Sequence, residues 1–231
     1  MNERDDGYVR GRVIYLFGLV FLVQTIYPVT EGGNLVWILL YQVLYMTLVV
    51  AGGLVAQDSP GHNRLLVALG VAWGIAGGVY AFYPTATWAL LAGYVVIALF
   101  QMMVVRVLLI FIFSTERVNR DVIVAASTVY FLLGGIFVPL YGLLETVTFT
   151  WTGEHAFIDG VRGTPDVFPW QTFVYYSYVT LTTLGYGDIL PQSMWARSLV
   201  SVQAIVGVLY LTIIMARLVG LYAAHEVEDG G

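Results

Sequence analysis

Long apolar runs, separated by short polar segments, dominate the chain. A helix needs about 17–25 predominantly apolar residues to cross a hydrocarbon core of about 30 Å. Six runs reach this length: residues 13–29, 35–56, 65–83, 87–113, 122–144 and 193–224. The pattern therefore predicts an all-α membrane protein with six transmembrane helices. Four glycines in the third run, at 70, 74, 77 and 78, indicate either close helix packing or only the high glycine content of membrane helices.

The composition supports lipid as the main solvent of these helices. Of the 231 residues, 59% are hydrophobic and 11% are charged, whereas a soluble domain has about 25% charged residues. Cysteine is absent, which excludes disulfides and thiolate metal sites. No nucleophile–base pair or metal cluster has a suitable spacing. We expect no enzymatic activity, no cofactor and no nucleic-acid partner.

The distribution of charge predicts the orientation in the membrane. Arginines concentrate on one side of six alternating helices: Arg4, Arg10, Arg12, Arg64, Arg117, Arg120 and Arg217. Acids concentrate on the other side: Glu31, Glu145, Glu154, Asp159, Asp166 and Asp188. Because cytoplasmic loops are rich in Lys and Arg, both termini are predicted to be cytoplasmic. Five tryptophans fall near the outer helix ends, as interfacial anchors do: Trp37, Trp88, Trp151, Trp170 and Trp195.

The basic residues also indicate the source of the chain. All ten are arginine, and the net charge is -5. This bias is typical of a GC-rich prokaryotic genome or an acidic proteome, so we expect the plasma membrane of a prokaryote.

The segment between the last two runs is too polar and too interrupted to face lipid. Residues 145–168 read as an extracellular turret with glycines, a proline and several acids. Pro169 suits the first turn of a helix, where its missing N–H costs nothing. The aromatic stretch from Pro169 to about Thr182 is too short to span the membrane. It predicts a re-entrant helix, followed by irregular backbone that must be buried in protein or line an aqueous path.

Residues 180–188 read T-L-T-T-L-G-Y-G-D. One interpretation of this run is an ordinary Thr-rich loop that ends in a turn and has no special function. The run resembles the selectivity-filter signature of tetrameric potassium channels, T-x-x-T-[VIL]-G-Y-G-D, and every fixed position is filled. The resemblance covers the fifth helix to the end of the chain, whereas the first four helices match only in number and placement. It implies a homotetramer around a central pore, with membrane lipids outside and K⁺ as the permeant ion.

The resemblance assigns K⁺ coordination to filter oxygens of Thr183, Leu184, Gly185, Tyr186 and Gly187. Rings of backbone carbonyls from four chains replace the hydration shell of the ion. Aiming successive carbonyls at one axis requires positive φ, which glycine adopts most easily, so Gly185 and Gly187 are expected there. The side chains of Leu184 and Tyr186 are expected to point away, into the wall of the filter.

Four further residues are expected to support the filter: Tyr175, Tyr176, Val179 and Asp188. Val179 occupies a position where some simple bacterial channels have Glu. Asp188 either attracts cations at the outer mouth or accepts a hydrogen bond from a pore-helix aromatic such as Tyr176. We favour the structural role.

The sixth helix carries the candidate gate. Gly207 lies where many such channels have a hinge glycine, and helix packing is the alternative explanation. If the register is right, one stripe faces the cavity: Ala204, Val208, Leu211 and Met215. A ring of Leu211 or Met215 closes the pore by dewetting in this hypothesis.

The fourth helix argues against voltage sensing. It carries Arg106 alone, and the second and third helices contain no Asp or Glu, whereas a sensor needs several moving charges. We therefore divide the chain into four peripheral helices with their linker (1–121), a pore domain (122–224) and a short cytoplasmic tail (225–231), with no soluble ligand domain. His62, His155 and His225 could make protons effectors of the channel, but three scattered histidines usually do not indicate regulation by pH.

The expected function is passive, potassium-selective conduction. Three alternatives stay open. They are a weakly selective cation channel, a transporter with four filter repeats, and a non-conducting regulatory membrane subunit.

Overall fold

The protein is described by a computed structural model that covers residues 12–31, 34–55, 60–83, 86–116 and 118–229. Its elements, in chain order, are α1 Arg12–Ile26, a 3-10 helix Tyr27–Thr30, α2 Leu35–Val55, α3 Pro60–Phe82, α4 Thr87–Ser114, α5 Arg120–Thr152, β1 Phe157–Asp159, α6 Trp170–Leu181, β2 Ile189–Pro191 and α7 Met194–Asp229. Arg4, Arg10 and Arg117 of the charge pattern lie outside the described residues, as do the side chains of Arg12, His62 and His225.

Six helical segments are long and apolar enough to cross a membrane, namely α1 with its 3-10 extension, α2, α3, α4, α5 and α7. The predicted number of transmembrane helices is confirmed, and the chain is a multi-pass membrane protein. Three helix ends differ clearly from the prediction. α3 begins at Pro60, five residues before the predicted start at residue 65. α5 continues past residue 144 to Thr152, and α7 continues past residue 224 to Asp229. The helix therefore runs into the segment that was predicted to be a separate tail.

The architecture is not purely helical, because two short strands form an antiparallel sheet. β1 pairs with β2 in the register Phe157–Pro191, Ile158–Leu190 and Asp159–Ile189. β1 belongs to the predicted turret, and β2 begins directly after Asp188. The sheet therefore joins the turret to the end of the candidate filter.

α5 is the most buried of the spans and packs against α1, α4, α6 and α7. α1, α2, α3 and α4 each contact the next, so they close into a ring against α5. The core between them includes Leu16, Leu66, Phe100 and Leu132. Many apolar side chains on the outer faces are exposed, for example Val36, Val43 and Ile75, as lipid-facing positions are.

The glycines of α3 explain its close contact with α2. A Cβ at Gly70 would lie 2.1 Å from Val49, one at Gly74 2.8 Å from Met46, and one at Gly77 2.7 Å from Gln42. Gly78 has open space around it. Helix packing thus accounts for three of the four glycines in the motif.

Candidate selectivity filter

The short helix α6 has the length of a re-entrant element. Its 12 residues span about 18 Å at about 1.5 Å per residue, roughly half of the thickness that a transmembrane helix crosses. Pro169, the predicted first helical residue, occupies the N-cap position with φ −68 and ψ 142, and the helix begins one residue later at Trp170. The sequence therefore placed the start of α6 to within one residue.

The N-terminal end of α6 is held by the peripheral helices. The Trp170 ring lies 6.4 Å from that of Tyr27 and 5.4 Å from that of Tyr41, centroid to centroid. Gln171 Nε2 donates a hydrogen bond of 2.9 Å to Thr30 Oγ1. Trp170 is therefore packed between aromatic side chains of its own chain, and its assignment as an interfacial anchor stays a prediction. Hydropathy did not reveal this contact because its partners lie more than a hundred residues away.

The middle of α6 is bound to α5 by two hydrogen bonds. Ser177 Oγ donates to the Gly134 carbonyl over 2.7 Å, and Tyr178 OH donates to the Phe131 carbonyl over 2.9 Å. A Cβ at Gly134 would come within 2.4 Å of the Tyr178 ring, so this approach requires glycine. The 3-10 helix, α2 and α5 thus hold α6 along its length before the irregular segment begins.

Residues 182–187 form an exposed segment in the single chain. The N–H groups of Leu184 and Gly185 donate to the Val179 carbonyl over 2.9 and 3.3 Å, which folds the segment back onto the end of α6. Within the described part of the chain, no hydrogen bond ends on the carbonyl oxygens of residues 183–186. The segment therefore uses N–H groups to hold itself in place and leaves a run of four carbonyls for another partner.

Three residues of this segment have left-handed backbone. Gly185 has φ 56 and Gly187 has φ 77, the conformations expected of both glycines. Thr183 has φ 59, although it is β-branched, and such a conformation costs about 1–3 kcal/mol. The positive φ of Thr183 was not predicted, since threonine in a sequence does not indicate a left-handed backbone conformation. Strain of this kind persists only where the surrounding structure imposes it, here the bonds to Val179.

Asp188 is held by Tyr175, not by Tyr176. Tyr175 OH donates to Asp188 Oδ2 over 2.7 Å, and the backbone N–H of Ile189 donates to Oδ1 over 3.0 Å. The rings of Tyr175 and Tyr186 are stacked, with centroids 6.5 Å apart and planes 9° apart. The structural interpretation of Asp188 fits this geometry, but its expected partner was wrong by one residue.

Tyr176 points in another direction because neighbouring helical positions face different sides. It is buried against Tyr141 and Phe157, with ring centroids 5.2 and 5.4 Å away. Val179 is also buried, and its carbonyl receives the two filter N–H groups described above. The support residues therefore act in three ways: Tyr175 through Asp188, Tyr176 through the core, and Val179 through its backbone.

Leu184 and Tyr186 are 54% and 66% exposed, so the chain itself covers little of either side chain. The expected wall around these two side chains is therefore not provided by the described residues of the single chain.

A buried acid anchors the turret beside the filter. Glu145 lies inside α5, and its Oε2 accepts the N–H groups of Ala156 and Phe157 over 2.9 and 3.2 Å. Its Oε1 lies 2.5 Å from His155 Nδ1. Glu145 was expected to be an exposed turret acid, and that expectation was wrong. The carboxylate tolerates burial because donors surround it.

The other side of the turret is a tight turn. Asp159 accepts hydrogen bonds from the N–H groups of Arg162 and Val161, over 2.7 and 2.9 Å. These donors lower the pKa of Asp159 below its ordinary value. The Gly160 N–H donates to the Asp188 carbonyl over 2.8 Å. The turret thus contacts the last residue of the filter motif directly.

Gly207 packs against the inner end of α6. A Cβ there would meet the Leu181 carbonyl oxygen at 2.8 Å and Leu181 Cδ1 at 2.9 Å. α7 continues through this position without interruption. The geometry accounts for Gly207 by packing, the alternative that the sequence left open, and the hinge stays an untested prediction. Leu211 and Met215 are exposed in the chain, and their role as a gate also stays a prediction.

Arg217 has a structural role that no sequence pattern predicted. Its guanidinium donates to three carbonyls at the end of α4: Ile112 at 3.1 Å, Phe113 at 2.8 Å and Thr115 at 3.0 Å. It also lies 4.9 Å from the centre of the Phe113 ring. The last carbonyls of a helix lack intrahelical partners, so Arg217 of α7 supplies the donors that α4 lacks.

Six helices long and apolar enough to cross a membrane, with the short helix α6 and an exposed carbonyl segment before the last of them, are the arrangement expected of an ion channel. Residues 121–223, from α5 through most of α7, match the family model described as Ion channel. The match covers less than half of the chain. It supports an ion channel superfamily for this part and a transport role rather than an enzymatic one. No curated protein and no solved structure matched the chain.

Proposed function

We propose that the protein is a potassium-selective channel that conducts K⁺ passively as a homotetramer. The observation that carries this proposal is the exposed segment at residues 182–187, whose carbonyls at 183–186 accept no hydrogen bond from the described part of the chain. A selectivity filter needs such carbonyls to replace the hydration shell of the ion. The T-L-G-Y-G-D sequence of this segment specifies K⁺ among the cations.

A tetramer follows from the same segment. One chain contributes a quarter of each carbonyl ring. The large exposed fractions of Leu184 and Tyr186 beside the filter, and of Val208 and Leu211 on α7, are apolar surfaces that further copies would cover. We place the assembly in a prokaryotic plasma membrane with both termini in the cytoplasm, on the arginine distribution described above.

Gating by voltage through α4 is not part of the proposal. Arg106 is the one charged residue of α4 in the sequence. Moving one charge through the membrane field is worth about 2.3 kcal/mol per 100 mV, and steep sensors use about 3–4 charges per subunit. A single arginine supplies about a quarter to a third of that charge. We therefore expect conductance without steep voltage dependence.

The test is the reversal potential of the purified protein in planar bilayers. Under a tenfold KCl gradient, a K⁺-selective pore reverses at about 59 mV, the value for one charge. With KCl on one side and NaCl on the other, the reversal potential then measures K⁺ over Na⁺. Equal permeability to both ions would replace the proposal by a weakly selective cation channel. A folded tetramer without current would indicate a regulatory subunit.

A pair of glycine variants separates the filter from general stability. Gly187→Ala and Gly153→Ala both place alanine at positive φ, 77 and 75 respectively, and neither Cβ meets an atom within 4 Å. Each costs about 1–2 kcal/mol of backbone strain. We expect Gly187→Ala to abolish potassium-selective current, whereas Gly153→Ala in the turret leaves selectivity unchanged. Equal effects on selectivity would argue against the filter assignment.

A further inference from the structure

Gln203 is a fully buried amide in the apolar middle of α7, with 0% of its surface exposed. A buried amide is costly unless its donors and acceptor are paired. Here Nε2 donates to the Ser177 carbonyl over 3.0 Å and contacts Ser177 Oγ at 2.7 Å. Tyr141 OH donates to Oε1. The side chain is therefore bonded to α5 and α6 at once.

The bonds form a closed path through three helices. It runs from Tyr141 of α5 to Gln203 of α7, then to Ser177 of α6, whose hydroxyl returns to the Gly134 carbonyl of α5 over 2.7 Å. Gly134 and Tyr141 are about two helical turns apart on α5. Tyr141 and Ser177 are also fully buried, at 0% exposure. Ser177, the member of the path on α6, lies in the last two turns of this helix, which ends at Leu181 just before the candidate filter.

The contact between α6 and α7 has a second point one turn further along both helices. Gly207, four residues after Gln203, packs against Leu181, four residues after Ser177. Leu181 is the last residue of α6, and the exposed segment begins after it. Between the two contacts lies Val179, whose carbonyl holds the N–H groups of Leu184 and Gly185. A displacement at Ser177 is therefore passed to the carbonyls at 183–186.

We propose that Gln203 is a positioning residue for ion selectivity. It sets the distance of α6 from α5 and α7, and so the spacing of the carbonyl rings that discriminate K⁺ from Na⁺. The inference rests on the proposed function. A buried hydrogen-bonded network contributes little net stability when all its partners are replaced by apolar groups of similar shape. Its main contribution is then geometric, and loss of selectivity is the expected consequence of removing it.

The test compares Gln203→Met with Gln101→Met in planar bilayers. Gln101 of α4 is likewise buried, at 2% exposure, and donates to Tyr45 OH over 2.7 Å. It is a matched control because the same substitution removes a buried amide that is hydrogen-bonded to Tyr45 of α2 and not to α6. We expect Gln203→Met to lower the K⁺/Na⁺ permeability ratio about fivefold, or about 1 kcal/mol at about 1.4 kcal/mol per factor of ten. Gln101→Met should leave the ratio unchanged.

Tyr141→Phe provides a second variant that removes only one hydroxyl from the path. It should lower the ratio in the same direction by a smaller factor, and it decides the matter if Gln203→Met does not assemble. A purely structural role would lower the melting temperature of the tetramer and leave the ratio of the assembled protein unchanged, which would overturn the inference. Equal losses in Gln203→Met and Gln101→Met would overturn it too.

The wild-type protein distinguishes the inference from the function on which it rests. A wild type that does not discriminate K⁺ from Na⁺ refutes the proposed function and the inference with it. A selective wild type with an equally selective Gln203→Met variant refutes the inference alone.

Discussion

Replacing Gly207 by alanine tests whether this residue serves packing or bending of α7. In the native structure the added Cβ would lie 2.8 Å from the Leu181 carbonyl oxygen and 2.9 Å from its Cδ1. Ordinary contacts begin at 3.4 Å, so α6 or α7 must move by about half an ångström. One of the two contacts is backbone, which cannot yield by changing a rotamer.

The expected change in the free energy of unfolding of Gly207→Ala is the difference between two effects. Overpacking of a well-filled site costs about 1–3 kcal/mol. Alanine regains about 1 kcal/mol of helix propensity over glycine. Gly207→Ala should therefore lower the free energy of unfolding by up to about 2 kcal/mol.

Gly220→Ala is the matched control on the same helix. A Cβ at Gly220 meets nothing within 4 Å. This variant should therefore gain about 1 kcal/mol of helix propensity without any steric clash. The two variants should then differ by about 1–3 kcal/mol in free energy of unfolding. The assay is equilibrium unfolding of the detergent-solubilised protein in KCl, with single-channel open probability measured on the same preparations.

Equal stabilisation by the two alanines would refute the packing argument. A Gly207→Ala variant as stable as Gly220→Ala, but with an altered open probability, would favour the hinge instead. Packing requires Gly207→Ala to be less stable than Gly220→Ala whether or not the open probability changes.

Two further predictions concern the contacts that hold the turret and α4. Glu145→Leu should destabilise the turret, because the buried N–H groups of Ala156 and Phe157 lose their acceptor, at about 1–3 kcal/mol for each unpaired group. Hydrogen exchange at Ala156 and Phe157 should quicken, whereas Glu154→Leu at an exposed position should change neither stability nor exchange; unchanged exchange in Glu145→Leu would contradict the anchoring role. Arg217→Lys should quicken exchange in the last turn of α4, since an ammonium lacks the planar fork that reaches three carbonyls. Exposed Arg64→Lys is its control, and an equal effect of both would show that Arg217 is not needed there.

Local chemistry was enough to predict the boundaries of the filter region. Pro169 lacks an N–H and so marks the start of a helix. Gly185 and Gly187 can adopt positive φ without a Cβ penalty. Both rules act within a few residues, and the structure has α6 beginning at Trp170 and both glycines at positive φ. The positive φ of Thr183 was not predicted because its cause is not the threonine side chain. The cause is the pair of hydrogen bonds from the N–H groups of Leu184 and Gly185 to the Val179 carbonyl.

The hydropathy pattern correctly predicted the six segments that are long and apolar enough to span a membrane. It did not predict the surroundings of single polar side chains. Glu145 was assigned to the turret because the segment that begins with it is too polar and too interrupted to face lipid. Its partners are backbone N–H groups of residues 156 and 157, which reach it only after the chain has left α5 and turned back. Gln203 was overlooked for the same reason, since its partners belong to α5 and α6.

The sequence by itself determined the six membrane spans, the short helix before the T-L-G-Y-G-D motif and the backbone freedom of its glycines, because these depend on hydrophobicity and on local backbone sterics. Only the tertiary structure decided that Tyr175 holds Asp188, that Gly207 packs on Leu181 and that Gln203 joins three helices. Such contacts depend on the rotation and separation of whole helices. Those quantities follow from the packing of all side chains together, and no local pattern encodes them.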